Sequence, residues 1–199
     1  RSFPTLNESN HINPSFIFVG ELCERKRIVN LCESISSYEN QLSNFTIVGD
    51  GVQRKRVTKF VSLSDKFSLV GSLPNSEVRF LISRHDWLIL PSRFDGWGAV
   101  VNEALSVGTR VIVSEDCGSA SLITMPALGI VFGKTSGVSL EDAIERAIDY
   151  GMTETAVRIF VANWFANHAS ANVAALYFKS IVFHCNENTT ALSIPWNRK

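Results

Sequence analysis

Short apolar runs recur along the chain, and each is followed by a glycine, a proline or a serine. Runs of this length are too short for helices and are typical of strands whose two faces are both buried. A glycine or proline after such a run favours a turn, because glycine accepts unusual backbone angles and proline cannot extend a strand ladder. We therefore predict strands at residues 16–19, 45–48, 67–70, 87–90, 111–113 and 130–132.

Helical spacing fills the segments between these runs. Apolar residues recur there at intervals of three and four, which places them on one face of a helix. Such faces begin at Ile28, Val57, Val78, Ala99 and Leu140. Strands that alternate with helices predict an α/β fold with a Rossmann-like, doubly wound parallel sheet. Sheets of this kind bind ligands beyond the carboxyl ends of their strands.

Polar and apolar segments divide the chain into four parts. Residues 1–15 are polar and are predicted to be a linker or incoming segment. Residues 16–150 are predicted to form the Rossmann-like domain. Residues 151–185 are predicted to be closing helices of the same domain, split near His168. Residues 186–199 are polar again and are predicted to be a frayed tail.

Composition places the chain among globular proteins. Its 199 residues are 45% hydrophobic and carry a formal net charge of zero, which suits one folded domain and gives no electrostatic case for binding nucleic acid. The four cysteines form no Cys-x-x-Cys pair and lie near no histidine at metal-ligand spacing. We therefore predict no metal site, free thiols and a reducing, cytoplasmic location. No apolar run approaches the ~20 residues that span a bilayer.

The loop and helix that follow the strand at residues 87–90 carry the main candidate chemistry. Pro91 ends that strand, and Gly96 and Gly98 allow the backbone to turn tightly and approach a ligand. A helix that starts at Ala99 aims its free N–H groups and the positive end of its dipole at one spot. That arrangement suits a phosphate or another anion.

This segment contains two acids, Asp95 in the loop and Glu103 on the helix. Their eight-residue separation allows both to line one crevice. The sequence pattern here is an acid, a glycine, an aromatic residue and a glycine, followed by Glu-Ala. This pattern resembles that of retaining GT-B glycosyltransferases, family 4 in particular. In that family the first acid contacts hydroxyls of the donor sugar and the second holds the ribose. The resemblance implies these roles for Asp95, one methylene shorter than the usual Glu, and for Glu103. It also implies that Gly96, Trp97 and Gly98 face the sugar and diphosphate.

The first strand and its loop extend the resemblance. The family's pattern there is Gly-Arg-Leu, three residues and Lys, and this chain has Gly20, Glu21 and Lys26. The resemblance implies that Lys26 holds the donor diphosphate and offsets charge as the sugar departs, which is electrostatic stabilisation of the transition state. Glu21 in place of the arginine would repel the diphosphate. We expect Arg25 or Arg27 to supply the missing charge if the site is active.

Other stretches carry weaker signals. Residues 70–73 resemble the family's base-binding turn, in which backbone groups near Leu73 meet the nucleobase. Residues 116–118 follow the fifth strand and either offer N–H groups toward the sugar or form a plain loop. The histidines have no Ser or Cys nucleophile signature beside them and are predicted to be structural: His85, His168 and His184.

The resemblance covers residues 16–177 and implies the C-terminal, donor-binding domain of a two-domain enzyme. The implied reaction moves a hexose from a nucleoside diphosphate sugar to an acceptor hydroxyl, with retained anomeric configuration and without a cofactor or metal. The implied partners are the nucleotide sugar and a preceding, N-terminal acceptor-binding domain. That missing domain would supply peripheral contact with the inner face of a membrane.

Two other interpretations stay open. The first is a non-catalytic homologue, truncated or degenerate, that holds a nucleotide. Glu21 and the missing N-terminal domain favour this interpretation, and the intact Lys26, Asp95 and Glu103 oppose it. A sugar-nucleotide epimerase of the same fold is opposed by the spacing of the two acids.

Overall fold

A computed structural model describes residues 12–176, so most of the predicted linker, the end of the closing helices and the frayed tail lie outside the described residues. The strands are β1 (Ser15–Val19), β2 (Asn44–Val48), β3 (Phe67–Gly71), β4 (Trp87–Leu90), β5 (Arg110–Ser114) and β6 (Gly129–Phe132). The helices are α1 (Ile28–Ser36), α2 (Arg54–Val61), α3 (Asn75–Ser83), α4 (Ala99–Ser106), α5 (Leu140–Tyr150) and α6 (Thr155–His168). Within residues 12–176, no helix is long and apolar enough to cross a membrane.

All strand pairings are parallel, in the order β3-β2-β1-β4-β5-β6. This order confirms the predicted doubly wound α/β fold. The chain runs outward from β1 to β3 on one side, then returns to the centre and runs outward from β4 to β6 on the other. The order therefore reverses between β1 and β4, which pair at Phe16–Trp87 and Ile17–Leu88. A ligand crevice is expected beyond the carboxyl ends of these two strands.

The two faces of the sheet build two separate cores. Phe16 and Phe18 of β1 pack in one core with α1, α2 and α5, whereas Ile17 between them packs in the other core with α3, α4 and α6. Successive residues of a strand point to opposite faces, so burial on both faces requires continuous apolar runs. This explains why the strands were detectable as short apolar runs.

The predicted element boundaries differ from the observed ones by a residue or so. β1 begins at Ser15, and β5 extends from Arg110 to Ser114, one residue beyond each end of its apolar run. α6 ends at His168, and residues 171–176 are again helical, in agreement with the predicted split. Polar residues that extend a strand leave no trace in a hydrophobic pattern, which is why the ends were missed.

A buried carboxylate, Asp86, joins elements at the amino edge of the sheet. It accepts hydrogen bonds from the Ser15 N–H (2.9 Å) and hydroxyl (2.7 Å), from the Thr153 N–H (2.8 Å) and from the Arg158 guanidinium (2.8 Å). These bonds fix the starts of β1 and β4 and the beginning of α6 to one another. The opposite, carboxyl edge is left for the loops that form the candidate site.

Candidate functional site

A cleft of about 460 Å³ opens at the carboxyl edge of the sheet, where the reversal of strand order predicts a ligand crevice. The ends of β1 and β2 and the loops after β3 and β4 contribute to its wall, together with the first turns of α4. Most of the predicted site residues line it: Gly20, Glu21, Lys26, Leu73, Asp95, Gly98 and Glu103.

Lys26 and Asp95 meet in the wall of this cleft. Lys26 ends a short 3-10 helix after β1, and its ammonium group donates a hydrogen bond to the Asp95 carboxylate, 69 residues further along the chain. Both side chains are largely buried, with exposed fractions of 12% and 16%. Resemblance assigned these residues separately to diphosphate and sugar, and the structure pairs them directly.

The surroundings of Asp95 keep its carboxyl group ionised. Partial burial raises its pKa, but the hydrogen bond and charge of Lys26 lower it, as do the Gly98 N–H and the charge of Arg25. The net result is a pKa below the usual range of aspartate. At neutral pH the cleft therefore presents a carboxylate that accepts hydrogen bonds and donates none.

The loop after β5 holds the Asp95 loop in place. The Gly118 N–H donates to the Asp95 carbonyl (3.1 Å), and the Ser119 N–H donates to the Trp97 carbonyl (2.7 Å). Residues 116–118 were predicted either to offer N–H groups toward the sugar or to be a plain loop. Their N–H groups bond to protein acceptors, so the loop supports the site rather than supplying donors.

Gly98 and Gly96 differ in what they require of the backbone. Gly98 has φ of 78°, and an added Cβ would lie 2.7 Å from Leu90 Cδ2 and 2.8 Å from Ser119 Oγ. Gly96 has no positive φ, and an added Cβ would meet no atom within 4 Å. Both glycines were predicted to allow a tight turn, and the backbone at Gly98 adopts a conformation that favours glycine, whereas the backbone at Gly96 leaves room for a side chain.

Helix α4 presents its amino end and one acid to the cleft. Its first two residues, Ala99 and Val100, line the cleft, and so does Glu103 one turn further on. Burial raises the pKa of Glu103, and the charge of Arg79 opposes that shift. The cleft thus combines the positive end of a helix dipole with two carboxylates, Asp95 and Glu103.

Three predicted residues do not line the cleft: Arg25, Gly96 and Trp97. The Arg25 guanidinium donates to the Phe94 carbonyl (3.1 Å) and lies 3.9 Å from the Asp95 carboxylate. The Trp97 indole N–H donates to the Asn102 side chain (3.0 Å). Arg27, the alternative source of charge, lines a different cavity. The geometry thus puts neither arginine in the cleft wall beside Lys26.

The sequence did not single out two polar residues of the cleft wall, Asp50 and Asn75. Asp50 follows β2 directly and accepts hydrogen bonds from the Gly51 N–H (2.7 Å) and the Arg54 guanidinium (2.8 Å). Its position just beyond the carboxyl end of a parallel strand was a signal that could have identified it.

The described histidines and cysteines have structural surroundings. His85 hydrogen-bonds to the Leu81 carbonyl and the Thr46 hydroxyl, and His168 stacks on Trp164. His184 lies outside the described residues. Burial raises the pKa of the thiols of Cys32 and Cys117 to about 12 and about 11. Within residues 12–176, no group of three or more His, Cys, Asp or Glu side chains could hold a metal ion.

A second cavity, of about 630 Å³, lies between α1 and α5. Its wall carries charges of both signs, Arg27 and Arg93 together with Glu33 and Glu141. The cleft beside Lys26 is the stronger candidate, because it lies at the crevice of the sheet and holds the amino end of α4.

The chain is similar to known proteins of one family. The model of the family described as Glycosyl transferases group 1 matches residues 5–159. The chain is 24% identical over 174 residues to an alpha-D-kanosaminyltransferase from Streptomyces kanamyceticus. The aligned region covers 82% of this chain and 45% of that protein. The chain spans about half the length of the curated relatives it matches.

Solved structures share the fold. The catalytic domain of starch synthase IV from Arabidopsis thaliana, bound to ADP and acarbose, matches with a TM-score of 0.70 and 16% identity, over 90% of this chain and 40% of that one. Anabaena HepE in complex with UDP matches with a TM-score of 0.68 and 13% identity, over 86% of this chain and 49% of that one. At such identity the likeness concerns the GT-B fold. The match over residues 5–159 identifies the family: the chain belongs to the glycosyl transferases group 1.

Proposed function

We propose that the chain is the donor-binding half of a retaining glycosyltransferase, which moves a hexose from a nucleoside diphosphate sugar to an acceptor hydroxyl. The observation that carries this proposal is the convergence of Lys26, Asp95, Glu103 and the amino end of α4 on one cleft. A diphosphate needs a cation and N–H donors, and sugar hydroxyls need carboxylate acceptors. The cleft supplies both kinds of group.

The diphosphate would lie at the amino end of α4, beside Ala99 and Val100, within reach of Lys26. When the bond between the anomeric carbon and the diphosphate breaks, the leaving phosphate gains negative charge. A fixed ammonium group and helix dipole stabilise that charge without reorganising at the moment of reaction. Asp95 would accept hydrogen bonds from sugar hydroxyls, and Glu103 would accept them from the ribose.

Two of the similar solved structures hold ADP or UDP. These nucleotides are described for those proteins, and they support a nucleoside diphosphate as the ligand of this cleft. The half-length coverage of the relatives supports a second domain that would hold the acceptor.

A non-catalytic nucleotide-binding homologue is the second candidate, and Glu21 is the observation that favours it. Glu21 lies in the cleft wall together with Asp50, Asp95 and Glu103, whereas Lys26 is the one lysine or arginine among the residues that line this cleft. An excess of carboxylates weakens diphosphate binding through charge repulsion. Sugar transfer by the full-length protein would exclude this candidate.

Calorimetric titration of the chain with UDP, GDP and ADP tests the proposal. We expect one of them to bind, and Lys26→Ala to weaken that binding roughly tenfold or more, since charge-assisted phosphate contacts are worth about 1.5–3 kcal/mol. Glu103→Gln should also weaken it. Lys55→Ala, on the exposed face of α2, is the control and should change nothing. No binding of any nucleotide up to millimolar concentration would contradict the proposal.

A further inference from the structure

We propose that Asp95 and a nucleoside diphosphate compete for Lys26, and that the diphosphate must take Lys26 from the Asp95 carboxylate before the oxygen that Lys26 holds can bind the sugar. This inference rests on the proposed function of the cleft. It makes Asp95 a competitor of the phosphates as well as a ligand of the sugar.

The pair occupies the junction of two loops that are tied together. The Arg93 N–H donates to the Arg25 carbonyl (2.9 Å), and the Arg25 guanidinium donates to the Phe94 carbonyl. These bonds join the loop after β1 to the loop after β4 directly before the two residues of the Lys26–Asp95 contact. Since both backbones are fixed, Lys26 changes partner by rotating its own side chain.

A diphosphate is the stronger partner for the ammonium group. A carboxylate carries one negative charge, whereas a diphosphate carries more and offers more acceptor oxygens. Among the residues that line the cleft, Lys26 is the one lysine or arginine. The ammonium group that donates to the Asp95 carboxylate is therefore the same group that the phosphates need.

Asp95 keeps other partners after Lys26 turns away. The Gly98 N–H and the charge of Arg25, 3.9 Å away, also favour the ionised carboxylate. The group therefore stays charged and in place, while the lone pairs that bonded to Lys26 become free for sugar hydroxyls. Diphosphate binding thus frees the Asp95 oxygen that bonds to Lys26, and a free hexose should find that oxygen already in use.

The test is the affinity of Asp95→Asn for the nucleoside diphosphate that the parent binds. Asparagine keeps an oxygen for the Gly98 N–H but removes the charge that holds Lys26. We expect about fivefold tighter nucleotide binding, the scale of one modest ion pair. The nucleotide sugar should bind the variant no better than the nucleotide does. Glu21→Gln is the matched control, because it removes one charge from the same wall without releasing a cation, and its gain should be clearly smaller.

The possible outcomes separate this inference from the proposed function. Equal or weaker nucleotide binding by Asp95→Asn, or an equal gain in Glu21→Gln, would overturn the exchange. Loss of binding in Lys26→Ala together with either result would leave the proposed function intact. Failure of the parent and every variant to bind would contradict both. If Asp95→Asn does not fold, carbon NMR of the parent decides: the Asp95 carboxyl resonance should move on nucleotide binding, and an unmoved resonance would overturn the exchange.

Discussion

At the scale of single residues, Gly98 is a position where the Asp95 loop depends on the absence of a side chain. Gly98→Ala is expected to destabilise the fold by at least about 1 kcal/mol, because its backbone is left-handed and the added Cβ would meet Leu90 and Ser119. Nucleotide affinity should fall as well, since α4 begins at the next residue. Urea unfolding and calorimetry measure the two effects.

Gly96→Ala is the matched control for this prediction. It lies in the same loop, and its added Cβ would enter open space. Its free energy of unfolding should stay within about 0.5 kcal/mol of the parent value. Equal destabilisation by the two substitutions would contradict the assigned difference.

His85 makes stability depend on pH. Its Nδ1–H donates to the Leu81 carbonyl and its Nε2 accepts from the Thr46 hydroxyl, so the neutral ring fits the site. Burial lowers the pKa of His85 below 6.5, against the opposing effects of Leu81 and Asp86. The unfolded chain therefore binds more protons than the folded one. The contribution of His85 to stability is full above pH 6.5 and is lost as pH falls toward the pKa of the folded state.

Urea unfolding between pH 7.5 and 5.5 should show this loss of stability, and His85→Gln should reduce it. An unchanged slope in the variant would contradict the assignment.

The sequence singled out most of the residues that line the cleft, but it did not reveal their contacts. The resemblance pointed to Lys26 and Asp95 separately, whereas their contact joins loops 69 residues apart. The direction of Arg25 also escaped prediction. Two residues further on, Arg27 has a left-handed conformation (φ 51°), which a sequence pattern cannot reveal for an arginine.

At the scale of elements, Asp86 couples the two central strands to α6. Asp86→Ala should destabilise the fold by about 3 kcal/mol or more, because it leaves the Arg158 guanidinium and the N–H groups of Ser15 and Thr153 without their acceptor. Asp142→Ala removes an exposed carboxylate that caps α5 and should cost clearly less. Urea unfolding compares the two. Similar losses would show that the buried network is not a special source of stability.

Strands were predictable because burial on both faces demands apolar residues, and their ends were not. Arg110 extends β5 although it is charged, because its guanidinium lies over the rings of both Trp87 (4.0 Å) and Tyr150 (4.2 Å). Burial lowers its pKa to about 10, which still leaves it charged at neutral pH. The two aromatic residues that stabilise this arginine are far from it in the sequence, so the segment around Arg110 does not predict the contact.

At the scale of the whole molecule, the alternation of strands and helices was sufficient to predict the sheet, because parallel strands require crossover helices. The same alternation located the cleft through the carboxyl ends of the strands. It did not reveal that the loop after β5 supports the Asp95 loop, since that support comes from backbone hydrogen bonds of Gly118 and Ser119.

The 199-residue chain is expected to bind nucleotide without transferring sugar. The acceptor would lie in a second domain, and positioning both reactants supplies much of the rate of such a reaction. Incubation of the purified chain with a nucleotide sugar and a panel of acceptors, followed by mass spectrometry, checks this expectation. Transfer to a defined acceptor would show that the acceptor site lies within these 199 residues.

A crystal structure of the chain with the nucleoside diphosphate that binds best would show where the phosphates and the ribose lie. We expect the phosphates at the amino end of α4 beside Lys26, and the ribose at Glu103. Lys26 should have left the Asp95 carboxylate. A nucleotide bound instead in the cavity between α1 and α5, beside Arg27 and Arg93, would contradict this expectation.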